Sequence, residues 1–119
     1  MSDRLILIVD DEEQIASSVQ LRLKSQGYET ITAMNGADGV KMAKEHRPNA
    51  ILMDVRMPKM DGMQALRVLK DDQETANIPV IMLSASVADQ RTTIDAGARF
   101  FVRKPFQFSR LHEAVKAIV

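Results

Sequence analysis

The residues of this sequence that are best suited to chemistry each stand just after a short apolar run. Asp10 and Asp11 follow the first run, Asp54 the third and Ser84 the fourth, while Lys104 stands two residues beyond the fifth. Carboxylates bind metal ions, and hydroxyl and ammonium groups donate hydrogen bonds to phosphoryl oxygens. Brought together, these five side chains would form a site for a cation and a phosphoryl group.

Three carboxylates in a small space raise one another's pKa, so such a group holds either a proton or a cation. A single lysine leaves an excess of negative charge that a divalent ion can neutralise. Because the available ligands are oxygens and few in number, we expect Mg²⁺, with Mn²⁺ as the alternative. Asp11 and Asp54 are the predicted direct ligands, and Asp10 is expected to hold a coordinated water.

A cation beside Lys104 and Ser84 is suited to phosphoryl transfer, because the three groups can each bind one equatorial oxygen of the transferring phosphoryl. A carboxylate can also act as the nucleophile and form an aspartyl phosphate. Asp54 is the best candidate for that role, since it ends the run predicted to be the central strand.

The five apolar runs are separated by helical stretches, which is typical of a parallel α/β sheet with buried strands. The runs cover residues 5–9, 28–33, 50–53, 80–83 and 100–102. Parallel crossovers are right-handed, so we predict a doubly wound (βα)5 three-layer sandwich with strand order 2-1-3-4-5, the flavodoxin-like arrangement. Strands 1 and 3 are neighbours in that order, and ligands bind at the carboxyl ends of such strands.

Helices are predicted between the runs. The first covers residues 12–26, with a capping box formed by Asp11 and Gln14 and a C-terminal glycine at Gly27. The others are expected over residues 37–46 after an Asn35-Gly36 turn, after the loop 57–62, over residues 87–96, and after residue 105. The run 28–33 alternates polar and apolar residues and should be the least buried strand.

The composition sets limits on the function. With 119 residues the chain has room for one domain, residues 1–119. Sixteen basic and sixteen acidic residues cancel, so we expect no direct binding to nucleic acid and no membrane association. There is no cysteine, no long apolar stretch and, in residues 1–4, no signal-peptide layout. A cytoplasmic location is expected.

These residues together resemble the receiver domain of bacterial response regulators in two-component signalling. The resemblance covers essentially the whole chain. It is carried by Asp10-Asp11, by Asp54 with Met57-Pro58 and Asp61-Gly62 behind it, by Ser84-Ala85 and by Lys104-Pro105. Each pair is weak alone, whereas their order and spacing together are specific.

The resemblance implies a role for each position. Asp54 would accept a phosphoryl group from the phosphohistidine of a histidine kinase or a histidine phosphotransfer protein. Asp10 and Asp11 would hold Mg²⁺ together with Asp54 and the backbone carbonyl of Arg56. Lys104 would contact the phosphoryl group, and its peptide bond to Pro105 is expected to be cis.

The resemblance also implies a switch. Ser84 would move towards the phosphoryl group and Phe101 would turn inward, altering the face made by the fourth helix, the fifth strand and the fifth helix. Phe101 has no hydroxyl where tyrosine is common in relatives, so a fixed core residue is the alternative. Arg56 and Ser86 occupy positions that tune the lifetime of the phosphate in relatives; the alternative for Arg56 is a solvated side chain.

Two competing functions remain open. One is a pseudo-receiver that binds partners without being phosphorylated. The other is a Mg²⁺-dependent phosphohydrolase of the haloacid-dehalogenase type, which has a second acid two residues after its nucleophile, where this chain has Arg56. We expect no separate enzyme activity, a monomer that dimerises at most when phosphorylated, and an output partner or domain that the sequence leaves unidentified.

Overall fold

Five strands alternate with five helices in the computed structural model, which describes residues 4–119. Residues 1–3, on which the signal-peptide prediction partly rests, lie outside that range. The elements are β1 Leu5–Val9, α1 Glu13–Ser25, β2 Glu29–Ala33, α2 Gly36–His46, β3 Ala50–Asp54, α3 Gly62–Asp71, β4 Val80–Ser84, α4 Ala88–Asp95, β5 Phe100–Arg103 and α5 Phe108–Lys116. The predicted alternation is confirmed.

The strands form one parallel sheet in the order β2-β1-β3-β4-β5. This confirms the predicted flavodoxin-like (βα)5 sandwich. The register pairs Val9 with Met53 and Ser84 with Arg103. Residues that end their strands therefore lie side by side at one rim of the sheet. The two edge strands, β2 and β5, each have one buried residue, whereas every residue of β3 and β4 is buried, so the expectation that β2 is the least buried strand holds relative to the central strands.

Alternate residues of each strand pack on opposite faces of the sheet, because successive side chains of a strand point in opposite directions. Leu7, Ile51 and Met82 belong to one core cluster, which α2 and α3 cover. Ile6, Leu52 and Ile81 belong to the other, covered by α1 and α5. The crossover through α4 runs in the same direction along the sheet as the one through α3, so right-handedness places both helices on the same face.

Two helices, α2 and α3, begin one residue earlier than the sequence predicts, at Gly36 and Gly62. Asn35 accepts a hydrogen bond from the backbone N–H of Asp38 at 2.9 Å and is the N-cap of α2, so Gly36 is the first helical residue rather than part of a separate turn. Asp61 and Gln64 form a capping box at the start of α3. Both caps use the side-chain oxygen preferred at this position.

The predicted capping box at the start of α1 is wrong. The N-cap residue is Glu12, and no side chain caps this helix. The physical reason is that the Asp10 carboxylate accepts the backbone N–H of Glu12 at 2.9 Å, which folds the chain into an Asx turn. At the other end, Gly27 has φ +93 and ends α1 in the left-handed conformation that favours glycine, as predicted.

Within residues 4–119, no helix combines the length and hydropathy needed to cross a membrane.

Candidate functional site

The rim of the sheet positions four of the predicted site residues. Asp54 and Ser84 are the last residues of β3 and β4, and Asp10 and Lys104 directly follow β1 and β5. The backbone ladder continues past the strand ends, since Asp10 N–H donates to the carbonyl of Ala33 at 3.1 Å and Lys104 N–H donates to the carbonyl of Ser84 at 2.8 Å. These bonds fix the backbone positions from which the Asp10 and Lys104 side chains project.

Lys104 lies at the centre of an acidic group. Its Nζ is 3.1 Å from Oδ2 of Asp54, 3.4 Å from Oδ2 of Asp10 and 3.6 Å from Oε1 of Glu12. The peptide bond between Lys104 and Pro105 is cis, as predicted. One ammonium group thus bridges the carboxylates that stand at the ends of β1 and β3, the two neighbouring strands between which the strand order reverses.

Burial shapes the electrostatics of this group. The side chains of Asp10 and Asp54 are only 2% and 6% exposed, and this burial raises the pKa of both carboxyls even though Lys104 opposes the change. Burial alone would lower the pKa of Lys104, but its hydrogen bond to Asp54 and the charge of that residue outweigh burial and raise it. The lysine therefore stays protonated, while the two carboxylates lack a full counter-charge.

The third carboxylate of the group differs from the prediction. Carboxylate oxygens of Asp10, Glu12 and Asp54 lie within 4.8 Å of one another, and these are the three acids that the described residues bring together. Asp11, predicted with Asp54 to be a direct ligand, is half-buried and is not one of the three; its role as a ligand stays a prediction. The Asx turn at Asp10 accounts for Glu12, because it folds the chain so that the Glu12 side chain reaches Lys104.

The donor set fits a hard divalent cation. The three carboxylates carry more negative charge than one ammonium group cancels, and two of them, Asp10 and Asp54, are buried, which raises the pKa of both. Oxygen ligands and the absence of cysteine from the sequence favour Mg²⁺ or Mn²⁺ over softer metals.

The loop between β3 and α3 is pinned closely against its neighbours. A Cβ at Gly62 would lie 2.2 Å from the carbonyl oxygen of Asp54, and one at Gly36 would lie 2.3 Å from that of Met60. Glycine is therefore required at both positions for the chains to approach so closely. These contacts fix the backbone around Arg56, whose carbonyl is a predicted metal ligand.

Ser84 points its hydroxyl at a residue that sequence reasoning did not single out. Ser84 Oγ donates to Oδ2 of Asp89 at 2.6 Å, in a buried contact. The guanidinium of Arg56 donates to the same carboxylate, with Nε and Nη2 each at 3.3 Å. Ser86, the other predicted rate-tuning residue, donates its backbone N–H to Ser84 Oγ at 3.0 Å. Arg56 and Ser84 are thus joined through α4.

Phe101 is half-buried and packs against the core cluster on the face covered by α2 and α3. It lies next to Met82 in the register of β4 and β5. The aromatic ring is therefore partly inserted in this structure, and its predicted role as a switch stays a prediction.

Glu12 and Asp89 are the two residues that sequence reasoning missed. Glu12 extends the acidic pair Asp10-Asp11 within a run of four acids, residues 10–13, and that run was the available signal. Asp89 has a fainter signal. It and Thr93 are the buried residues of α4, so polar side chains occupy the helical positions where apolar ones would be expected.

The chain is similar in sequence to known proteins of one family. The profile of the family described as "Response regulator receiver domain" matches residues 6–116. Among curated relatives, the polar-differentiation response regulator DivK of Brucella anthropi is 34% identical, over 94% of this chain and 93% of DivK. The transcriptional regulatory protein PrrA of Mycobacterium tuberculosis is 38% identical over 96% of this chain, which spans 49% of PrrA.

Solved structures agree with this comparison. The Vibrio cholerae chemotaxis protein CheY4 superposes with a TM-score of 0.90 at 27% identity, covering 98% of both chains. The receiver domain of the sensor histidine kinase PA1611 of Pseudomonas aeruginosa PAO1 has a TM-score of 0.90 at 28% identity, also covering 98% of both chains. The latter structure has a magnesium ion coordinated in its active site cleft.

Proposed function

This chain belongs to the response regulator receiver domain family of two-component signalling, and on that premise we propose that it is a phospho-acceptor switch centred on Asp54. One observation carries the proposal: Asp54 ends the buried central strand with its carboxylate 3.1 Å from Lys104 and among two further acids. A nucleophile, a counter-charge for the phosphoryl group and ligands for a cation are thereby present at one point.

In the proposed reaction, a carboxylate oxygen of Asp54 attacks the phosphorus of a phosphohistidine or of a small phosphodonor such as acetyl phosphate. The new oxygen–phosphorus bond forms as the bond to the donor breaks. Lys104 and Ser84 bind the oxygens of the transferred group. The chain catalyses only its own phosphorylation and dephosphorylation.

Receiver domains bind Mg²⁺ in an acidic pocket, and this chain has such a pocket at Asp10, Glu12 and Asp54. We propose that Asp10, Asp11, Asp54 and the backbone carbonyl of Arg56 hold the ion, with Mn²⁺ as a substitute. When bound, Mg²⁺ would neutralise the developing charge of the phosphoryl oxygens. Glu12, whose Oε1 lies 3.6 Å from Nζ of Lys104, would add negative charge beside the ion.

Phosphorylation would drive the switch by adding up to about two negative charges and three acceptor oxygens at Asp54. Those acceptors favour a conformation in which Ser84 and Lys104 close on the phosphoryl group, with Phe101 turning further inward. The surface formed by α4, β5 and α5 would then change. Moving a population from 1:99 to 99:1 takes about 5.5 kcal/mol, which a few charge-assisted hydrogen bonds can supply.

The phosphodonor partner would approach beside Lys104. An open groove of about 430 Å³ lies there, lined mainly by apolar side chains of α1 and of the segment after β5, among them Ile15, Val19 and Phe106. We propose that this groove contacts a histidine kinase or a histidine phosphotransfer protein.

The output of the switch is also a proposal, because the chain spans about half the length of relatives such as PrrA. We propose that the switch acts on a further domain or on a separate partner. We also propose a cytoplasmic location and a monomer that dimerises at most when phosphorylated.

Both alternatives are less well supported. A pseudo-receiver would not need the acids, the hydroxyl and the lysine that this chain places at one rim. A phosphohydrolase of the haloacid-dehalogenase type would need an acid at Arg56, whose guanidinium instead pairs with Asp89.

Intact-mass spectrometry after incubation with acetyl phosphate and Mg²⁺ tests the proposal. We expect the wild type to gain one phosphoryl group, and we expect no gain in Asp54→Asn or when EDTA removes the metal. If no adduct forms, binding of beryllofluoride distinguishes a short-lived phosphate from an inactive site. Failure of the wild type in both assays would contradict the proposal and favour the pseudo-receiver.

A further inference from the structure

Asp89 accepts hydrogen bonds from two segments that adjoin Asp54, the end of β4 and the loop after β3. Ser84 reaches it from the end of β4 at 2.6 Å, and Arg56 reaches it from the loop after β3 through two nitrogens at 3.3 Å. The carboxylate side chain of Asp89 is only 12% exposed. It is thus a largely buried anion held by the predicted switch hydroxyl and by the residue two positions beyond Asp54.

The contact with Ser84 is exclusive for a chemical reason. A serine hydroxyl has a single proton, so it donates one hydrogen bond at a time. While Ser84 donates to Asp89, it has no proton with which to bind an oxygen on phosphorylated Asp54. Hydrogen bonds from a hydroxyl to a carboxylate are short and strong when buried, which agrees with the 2.6 Å separation.

The start of α4 is tied to the same contact. Ser84 Oγ also accepts the backbone N–H of Ser86, and the N–H of Asp89 donates to the carbonyl of Ser86 at 3.1 Å. The carbonyl of Asp89 accepts the buried hydroxyl of Thr93 at 2.7 Å. Rotation of the Ser84 side chain would therefore release both the backbone N–H of Ser86 and the carboxylate of Asp89. We thus expect the hydroxyl and the start of α4 to move together.

We propose that Asp89 is a positioning residue that holds Ser84 and Arg56 in the unphosphorylated state and so opposes switching. Phosphorylation at Asp54 then competes with Asp89 for the proton of Ser84 and for the guanidinium of Arg56, and α4 is released when the phosphoryl group wins. This inference deepens the proposed function of Asp54 and rests on it. The Ser84 contact carries most of the effect, because the Arg56 side chain is 72% exposed and its ion pair is screened by water.

The variant Asp89→Asn tests the inference, because asparagine keeps the shape of the side chain and removes its charge. Asp95→Asn is the matched control on the same helix, where Asp95 pairs with Arg91 at 3.8 Å on the exposed surface. Amide hydrogen exchange of residues 84–89 is measured in the metal-free, unphosphorylated protein. We expect about tenfold faster exchange in Asp89→Asn and no change in Asp95→Asn, with β1 and β3 unaffected in both.

A second measurement separates positioning from simple loosening. Beryllofluoride binding in the presence of Mg²⁺ should be severalfold tighter in Asp89→Asn, because beryllofluoride binding at Asp54 and the release of α4 are reciprocally coupled. Mere damage to the site would instead weaken beryllofluoride binding. Asp89→Ala should act in the same direction, and Asp89→Glu should restore part of the wild-type behaviour. Unchanged hydrogen exchange in Asp89→Asn would overturn the inference. If the wild type binds beryllofluoride, equal or weaker binding by Asp89→Asn would overturn it as well.

The two proposals fail separately. If the wild type takes up neither phosphoryl nor beryllofluoride, the phospho-acceptor function is contradicted. The exchange measurement still decides whether Asp89 holds the start of α4, because it needs neither metal nor phosphate.

Discussion

The helices α3 and α4 lie on the same face of the sheet but are held there by different forces. The buried side chains of α3 are apolar, with Ala65, Leu66 and Leu69 at most 1% exposed. The buried residues of α4 are Asp89 and Thr93, both polar. A capping box fixes the start of α3, whereas no side chain caps α4.

This difference indicates which helix a change of charge can move. Apolar burial is non-directional and does not respond to charge, so we expect a phosphoryl group at Asp54 to leave the packing of α3 unaffected. Hydrogen bonds can exchange one acceptor for another, and the contacts that hold α4 to Ser84 and Arg56 are of that kind. A helix that must move in response to phosphorylation is better attached by polar contacts than by a large apolar face.

The largest expected effect comes from breaking the apolar attachment of α3. Leu66→Ala removes a fully buried side chain, and we expect the free energy of unfolding to fall by about 2–5 kcal/mol. Urea denaturation measures the loss. The control Val68→Ala, at a position 39% exposed in the same helix, should change stability by no more than about 0.5 kcal/mol. Similar losses for the two variants would contradict an apolar attachment.

The polar attachment of α4 is tested by Thr93→Val, which keeps the shape of a fully buried side chain and removes its hydroxyl. We expect a loss of about 1 kcal/mol in the free energy of unfolding, the usual net contribution of one hydrogen bond. If α4 packed as α3 does, the added apolar methyl group would instead leave stability equal or higher.

The contact from the loop to α4 should matter more for kinetics than for stability. Arg56→Ala removes an ion pair whose guanidinium is 72% exposed and screened by water, and Asp89 keeps its hydrogen bond from Ser84, so the free energy of unfolding should fall by less than about 1 kcal/mol. We expect the phosphate on Asp54 to decay severalfold faster, because water gains access where the guanidinium lay. Decay is followed by intact mass after removal of acetyl phosphate, with Arg67→Ala as the control on α3. Equal decay rates in wild type and Arg56→Ala would refute a rate-tuning role.

The smallest effect is expected at the rim itself, where Lys104 already offsets part of the charge. Burial raises the pKa of Asp54, so the folded state binds that proton more tightly than the unfolded chain, and the ionised carboxylate lowers stability at neutral pH. Asp54→Asn should therefore be more stable than the metal-free wild type at pH 7. This advantage should shrink as the pH falls through the folded-state pKa of Asp54.

Thermal or urea unfolding in EDTA between pH 7 and pH 4 measures that difference. Hydrogen exchange in α3 should be the same in wild type and Asp54→Asn, since its attachment does not depend on rim charge. An advantage that grows at lower pH would mean that Asp54 is stabilised as an anion in the folded protein.

Much of the fold followed from the sequence because buried parallel strands are continuous apolar runs. That pattern predicted four of the strands, and the alternating run 28–33 predicted the fifth. The predicted order, the common one for a doubly wound sheet of this kind, is the one observed. Asp10, Asp54, Ser84 and Lys104 could be assigned to one rim for the same reason: each stands at or just beyond the end of a strand.

The details of loops and helix ends were less predictable. The expected capping box at Asp11 and Gln14 did not form, because Asp10 takes the backbone N–H of Glu12 and shifts the helix start. The same turn, rather than the position of the residue in the sequence, brings Glu12 to Lys104. Sequence spacing does not specify such turns, since several local hydrogen bonds compete for the same donors.

The sequence by itself determined the five strands, their parallel arrangement and the residues along the rim, because apolar runs and the helices between them are properties of the chain alone; the strand order was predicted as the common one for such a sheet. Only the tertiary structure decided that Ser84 and Arg56 share Asp89. That contact joins three separate segments, and it depends on how α4 is rotated about its axis against the sheet. The rotation of a short helix with polar buried residues is not set by its own pattern, because no apolar stripe specifies which side faces the core.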